Sequence, residues 1–335
     1  MGIDNLKSED TQSIDGLIHA YLLDGQGGAV QLNWEDIFSW ESTQGVLWIH
    51  LNAEHPNTKQ WLNNHSGIDS IICEMLLDID NEPRCIQEGN VLNATFRGIN
   101  FNKGADPEDM VYLNYYSDET RVISVRSSRL FFMQEITNKL ERNRGPKDAA
   151  MLLTSILDSL HDKMEPTLDF IEEQLDELEK NVSRVNFVDK TRQDLLDLRQ
   201  EIIELRRFLV PQKNALVQLS KFNLSWLNKK NIRLIKKIEG RIQHFFAELD
   251  SYRERAIVIK EEINSITNEK MNRAMYMLSI VTGVFLPLGF LTGLLGINVG
   301  GMPGVESKVA FWVVCGILIA VLLVSILIFK RNRWI

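Results

Sequence analysis

The sequence predicts an α+β domain, then long stalk helices, then two transmembrane helices at the C-terminal end. Three observations carry this reading. Between residue 14 and about residue 145, short apolar runs alternate with helix-like segments. Beyond Gly145-Pro146 the apolar residues recur at three- and four-residue steps and end in a sustained heptad. Met275–Leu295 and Val309–Phe329 then each run twenty-one residues without a charge. At about 1.5 Å per helical residue, either segment crosses a hydrocarbon core of roughly 30 Å.

The expected divisions are a cytoplasmic α/β domain over 1–145, a cytoplasmic long-helix bundle and stalk over 146–272, and a transmembrane domain over 273–335, with spans at about 275–295 and 309–329. In the first, Leu17–Leu23 and Val46–Leu51 are apolar runs ended by Asp or Asn, which reads as strand. Val91–Phe96, Val111–Tyr116 and Arg121–Val125 read the same way. Ser117-Asp118-Glu119-Thr120 supplies a hairpin turn between the last two. Thr58–His65 and Ser70–Asp78 are predicted helices. A mixed sheet flanked by helices follows.

In the second part, Leu157, Leu160, Met164, Ile171, Leu175, Leu178 and Val182 share one helical face. Leu195, Leu198, Ile202, Leu205 and Leu209 repeat the pattern, and Pro211 marks a break or kink. Next, Ile235, Ile242, Leu249, Ala256 and Ile263 recur every seven residues, with Ile238, Phe245, Tyr252, Ile259 and Ile266 in register three residues later. Such heptads argue for packed helices. No proline occurs between Pro211 and Pro287, so this helix is expected to run into the first span, over about 100 Å from Asn231 to Leu295.

The formal charge of −8 over 335 residues argues against nucleic acid as a partner. It fits either an ordinary acidic surface or a body that attracts cations. Cys73, Cys85 and Cys315 form no CxxC pair and read as free thiols. Met1-Gly2-Ile3-Asp4 opens without a basic or apolar leader, so no cleaved signal peptide is expected. Lys270 and Arg273 precede the first span and Lys330, Arg331 and Arg333 follow the second, whereas the connecting loop has Lys308 balanced by Glu306. The positive-inside rule therefore puts both termini in the cytoplasm.

At helical steps the first span presents Asn272, Met275, Ser279, Thr282, Leu286, Gly289 and Gly293 on one face. A small and polar stripe in lipid faces another helix or water, and both readings stand on the stripe alone. Met275 and Leu286 are either apolar constrictions of a pore or ordinary membrane packing. At the outer end of this face stand Gly296, Ile297 and Asn298, between the two spans.

The stretch Pro287…Gly296-Ile297-Asn298-Val299…Met302-Pro303 resembles the CorA family of divalent-metal transporters, which has two C-terminal spans and a Gly-Met-Asn signature followed by Met-Pro. Here Ile297 replaces the Met, and Gly300-Gly301-Met302-Pro303-Gly304 follows. The Gly-Ile-Asn form with a Gly-Gly loop is similar to the ZntB branch, the zinc-transport members. The resemblance implies a pentameric funnel: a homopentamer in a bacterial inner membrane that passes zinc, with no cofactor and no enzymatic activity. Gly296, Ile297 and Asn298 would then form the filter. A ring of Asn298 amides can accept hydrogen bonds from a hydrated divalent ion's water, and Gly296 and Gly300 would allow the backbone turn. A magnesium or cobalt channel, and a membrane-anchored oligomeric scaffold or sensor, are the alternatives.

Other features carry weaker signals. The acidic run Glu165, Asp169, Glu172, Glu173, Asp176, Glu177 and Glu179 reads either as a solvated helix face or as a regulatory cation site, and so do Glu261 and Glu262. His161 and His244 are lone helical histidines. Cys73 and Cys85 have no diagnostic zinc-ligand spacing. Gly25-Gln26-Gly27-Gly28 is a turn rather than a phosphate loop. No nucleophile–base constellation is found.

Overall fold

A computed structural model describes residues 15–79, 82–100, 102, 110–162, 164–182, 188–297 and 308–331. The chain divides into two compact units, residues 1–259 and 260–335. The first is built on a seven-stranded mixed sheet. Its strands are β1 (Leu17–Leu23), β2 (Ala29–Leu32), β3 (Leu47–Asn52), β4 (Arg84–Glu88), β5 (Val91–Gly98), β6 (Val111–Ser117) and β7 (Arg121–Arg126), in the order β2-β1-β3-β7-β6-β5-β4. Only β3 and β7 run parallel, in a register that pairs Ile49 with Ile123; the other neighbours are antiparallel.

The central strands are near-continuous runs of buried residues, as sheets covered on both faces require. One face packs Leu47, Ile49, Leu51, Ile123 and Val125 against Trp61, Leu62 and Leu76. Trp61 and Leu62 belong to helix α2 (Pro56–Asn64) and Leu76 to α3 (Ser70–Leu77). A short helix α1 (Trp34–Ser39) adds Ile37 to this core and is closed by a capping box between Asn33 and Asp36. The edge strands β2 and β4 and helix α1 have no counterpart in the sequence reading. Edge strands bury less, so their apolar alternation is faint: β2 has no fully buried residue. Gly25-Gln26-Gly27-Gly28 forms the expected turn, in which the Asp24 carboxylate accepts from the N–H groups of Gln26, Gly27 and Gly28.

Helices α4 (Phe131–Glu141), α5 (Ala149–Asp162), α6 (Glu165–Val182), α7 (Val188–Leu219) and α8 (Lys229–Leu295) follow. The apolar stripe from Leu157 to Val182 is shared between α5 and α6. Pro166 near the start of α6 lacks an N–H and so favours a helix beginning there. Pro211 does not end α7, which continues through it. The loss of one backbone bond is offset by burial on both sides, at Leu209, Gln212, Ala215 and Leu216. The heptad expectation is met: of its ten residues only Ile266 escapes full burial. Helix α8 also runs unbroken into the first apolar segment, through Pro287.

Ion pairs fix α8 against its neighbours in the first unit. Arg241 binds Asp158 and Asp162 of α5, and Arg206 of α7 binds Asp250 at 2.8 Å. Arg255 meets Asp176 at 2.6 Å, Glu179 at 3.0 Å and Glu172 at 3.9 Å, all on α6. Three of the seven acids of the run are thus counter-charges for one guanidinium, which raises the pKa of Arg255 and lowers that of Asp176.

Three histidines are buried. His50 Nδ1 lies 2.7 Å from Ser124 Oγ, and its ring stacks on that of His19 at 4.8 Å. His161 Nδ1 lies 2.5 Å from the Leu157 carbonyl and its Nε2 3.2 Å from the Gln212 amide nitrogen. Burial pushes the pKa of His19 down to about 3, assisted by Arg126, and that of His161 down to about 4. His50 is likewise held well below 6.5 by burial and then by His19. These groups stay neutral when folded but take up protons near pH 6.5 when unfolded. Their contribution is therefore complete above about pH 6.5 and is lost as pH falls towards 4, each group adding up to about 1.4 kcal/mol per pH unit to the slope. Thermal melting of the full chain in detergent should show the first unit losing stability between pH 7 and pH 4.5. A flat profile there would mean that the histidines are solvated.

Candidate functional site

The second unit holds the membrane-directed end of α8 and helix α9 (Ala310–Arg331). Both helices are long and apolar enough to cross a membrane. The hydroxyls along α8 are folded back on its own backbone. Ser279 Oγ donates to the Met275 carbonyl and Thr282 Oγ1 to the Leu278 carbonyl, each at 2.9 Å. Thr292 Oγ1 donates to the carbonyls of Leu288 and Gly289 at 2.9 and 3.1 Å. This satisfies each donor inside an apolar medium and leaves hydroxyl lone pairs as acceptors.

The decisive feature is which face of α8 meets α9. The partly buried residues of its apolar stretch are Ile280, Val284, Pro287, Leu288 and Leu291. Gly283 lies between that face and the stripe, and a Cβ built on it would come within 2.7 Å of the Phe329 ring of α9. Every residue of the predicted stripe, Asn272, Met275, Ser279, Thr282, Leu286, Gly289 and Gly293, is exposed. At about 100° per residue, the stripe is centred roughly 150° around the helix from the partly buried face. The hairpin therefore does not cover the stripe. A Cβ built on Gly289 or Gly293 meets no atom within 4 Å.

The stripe also extends further than the sequence reading took it. Asn264 and Asn268 continue Asn272 at four-residue spacing on the same face, and both are exposed. The repeat of amides just before the charge-free segment was the available signal. At the other end α8 stops at Leu295 and the Gly296 N–H donates to the carbonyls of Thr292 and Gly293 at 2.9 and 3.2 Å. Ile297 follows, half-exposed. The C-terminal end of a helix carries partial negative charge on its last carbonyls, so this end of the stripe favours a cation. Asn298, and with it Gly300 to Gly304 and Glu306, lies outside the described residues.

The remaining candidates resolve as structural. Cys73 and Cys85 are buried on α3 and β4, and the Cys73 thiol donates to the Leu62 carbonyl at 3.3 Å. Among the described residues no group of three His, Cys, Asp or Glu is placed to hold a metal. His244 is exposed beside Glu248.

Comparison with known proteins is consistent across sequence and structure. The family described as "CorA-like Mg2+ transporter protein" matches residues 43–331. The divalent cation transporter CmaX of Pseudomonas aeruginosa is 35% identical over 96% of this chain and 97% of its own. A zinc transport protein ZntB of Yersinia enterocolitica is 29% identical over the same shares. The solved full-length CmaX structure superposes with a TM-score of 0.82 at 34% identity, covering 96% of this chain and 98% of that one.

The close approach at Gly283 is directly testable. Gly283→Ala should destabilise the hairpin by about 1–3 kcal/mol through overpacking. Phe329→Leu should restore much of that loss. Thermal unfolding of the single and double variants in detergent checks it, and additive losses would disprove the contact.

Proposed function

The chain belongs to the CorA family of divalent cation transporters, and from that premise we propose that it carries zinc through a central pore lined by the first span. The observation that supports this best is the orientation of α8. Its small and polar stripe is turned away from α9, and a polar stripe left facing lipid is costly. A ring of identical helices covers it. A single hairpin has no lumen, so the pore requires assembly, and we read the assembly as a homopentamer in the inner membrane of a bacterium. By the positive-inside rule, Lys270, Arg273, Lys330, Arg331 and Arg333 support a topology with both termini in the cytoplasm.

Within this pore the ion keeps its water. Zinc prefers nitrogen and sulfur ligands, yet Gly293–Lys308 contains neither His nor Cys. A hydrated ion asks only for hydrogen-bond acceptors, and these come from Asn298, Asn272, the hydroxyls of Ser279 and Thr282, and backbone carbonyls near Gly296. Met275 and Leu286 narrow the path with apolar side chains. Such a filter reads charge, size and water exchange. No cofactor and no catalytic step enter this reading, and the chain is a transporter rather than an enzyme. The named relatives divide between zinc and divalent cations at large, and the family description names magnesium. Magnesium is therefore the second reading.

Two measurements decide these points. Mass determination in mild detergent should give a pentamer; a monomer or dimer that still conducts metal would sink the pore. Side-by-side flux into proteoliposomes should rank zinc with cobalt, nickel and cadmium, and magnesium below them. Asn298→Ala should abolish or derange that selectivity in a correctly assembled oligomer. Good magnesium flux without zinc flux would reassign the chain to magnesium, and unchanged kinetics in the variant would remove Asn298 from the mechanism.

A further inference from the structure

The first unit contains a cavity that the ion path does not use. Its volume is about 260 Å³, just under the range of roughly 300–1,000 Å³ typical of pockets for drug-sized ligands. Four aromatic rings line it: Trp34, Phe38, Trp61 and His65. They arrive in pairs at four-residue spacing: Trp34 and Phe38 on α1, and Trp61 on α2 with His65 as its C-cap residue. Four-residue spacing keeps each pair on one helix face. Trp34 and Trp61 approach across the gap at 5.5 Å with planes at 50°, and Phe38 meets His65 edge-on at 5.2 Å. Trp34 and Phe38 lie 6.3 Å apart at 33°. The rings touch one another in tilted and edge-on pairs and together form the apolar lining of an open cavity.

A carboxylate completes the lining. Asp15 accepts from the Leu17 N–H at 3.4 Å and borders the same cavity, as do the amides of Asn57 and Gln60. Among the described residues that line it, none is Lys or Arg. Phe38 is 60% exposed, so part of its ring is open to solvent at the cavity.

The geometry points to a binding site for a small organic cation, of the methylated-ammonium class, held by aromatic faces and balanced by Asp15. Ring faces carry negative quadrupole potential and attract a cation within about 6 Å. Methylated ammonium ions suit this better than a primary ammonium or a metal, because they are weakly hydrated and bring their own apolar surface. A divalent metal would need about six oxygens or several nitrogen and sulfur donors, and one carboxylate, one imidazole and two amides do not provide them. The site lies wholly in the first unit and is independent of the reading of the membrane path.

The test uses the full-length chain in a sugar-headed detergent, titrated calorimetrically with tetramethylammonium, with choline and with the neutral isostere 3,3-dimethylbutan-1-ol. Saturable binding of both cations and much weaker binding of the isostere are expected. Asp15→Asn and Phe38→Ala should each weaken cation binding by about three- to thirty-fold. Phe38→Leu keeps apolar bulk but removes the ring face, so it should weaken the cations while sparing the isostere. Near-identical melting temperatures confirm that these surface variants fold. Equal binding of cation and isostere, wild-type affinity in Phe38→Leu, or absence of saturable binding to the folded protein would each overturn the proposal.

Discussion

A bilayer core offers no water to polar atoms, and the architecture of the second unit follows from that constraint. Backbone groups in such a medium must be satisfied within their own helix. Side-chain hydroxyls must do the same, and Ser279, Thr282 and Thr292 return their protons to carbonyls of the preceding turn. What cannot be settled within one helix is the acceptor face that remains, together with the glycines at 289 and 293. Helix α9 leaves this face of α8 exposed. Hydrophobic burial gives no net drive between helices in lipid, and small residues and polar contacts supply it instead.

The first unit obeys the opposite constraint. There the drive is removal of apolar surface from water, at roughly 25 cal/mol per Å². The heptad residues of α8, from Ile235 to Ile259, are buried, and charges mark the borders of that packing. Arg241 and Arg255 each grip carboxylates on a neighbouring helix. Exposed pairs of this kind contribute little singly, about 0–1 kcal/mol. Their value is in register: a guanidinium shared among Glu172, Asp176 and Glu179 penalises a one-turn slide. One continuous helix thus belongs to two solvents, with its packing rule changing along its length.

Much of this was legible in the chain. The two charge-free stretches, the heptads, the central strands and the helices at 58–65 and 70–78 all announce themselves through local periodicity, because burial imposes a period of 2 or 3.6 on whatever sequence satisfies it. The edge strands β2 and β4 escaped, since an edge is half-solvated and imposes a weaker pattern. The division between α5 and α6 escaped because one apolar stripe runs through both, although Pro166 was the visible signal.

The sequence by itself determined the two membrane segments, the single long helix feeding the first of them, and the stripe of Asn272, Ser279, Thr282, Gly289 and Gly293. Each is a property of consecutive residues read at a fixed helical angle. The sequence left open which side of the first span α9 approaches, and which partners the carboxylates of α6 find. Only the tertiary structure decided these, through Phe329 seated beside Gly283 and Arg255 seated among the carboxylates. It also brought Trp34 and Phe38 to within ring distance of Trp61 and His65. The partners in each case are about 27 to 83 positions apart in the chain. No local period links residues so far apart, because their meeting depends on how whole elements pack, not on how any one of them repeats.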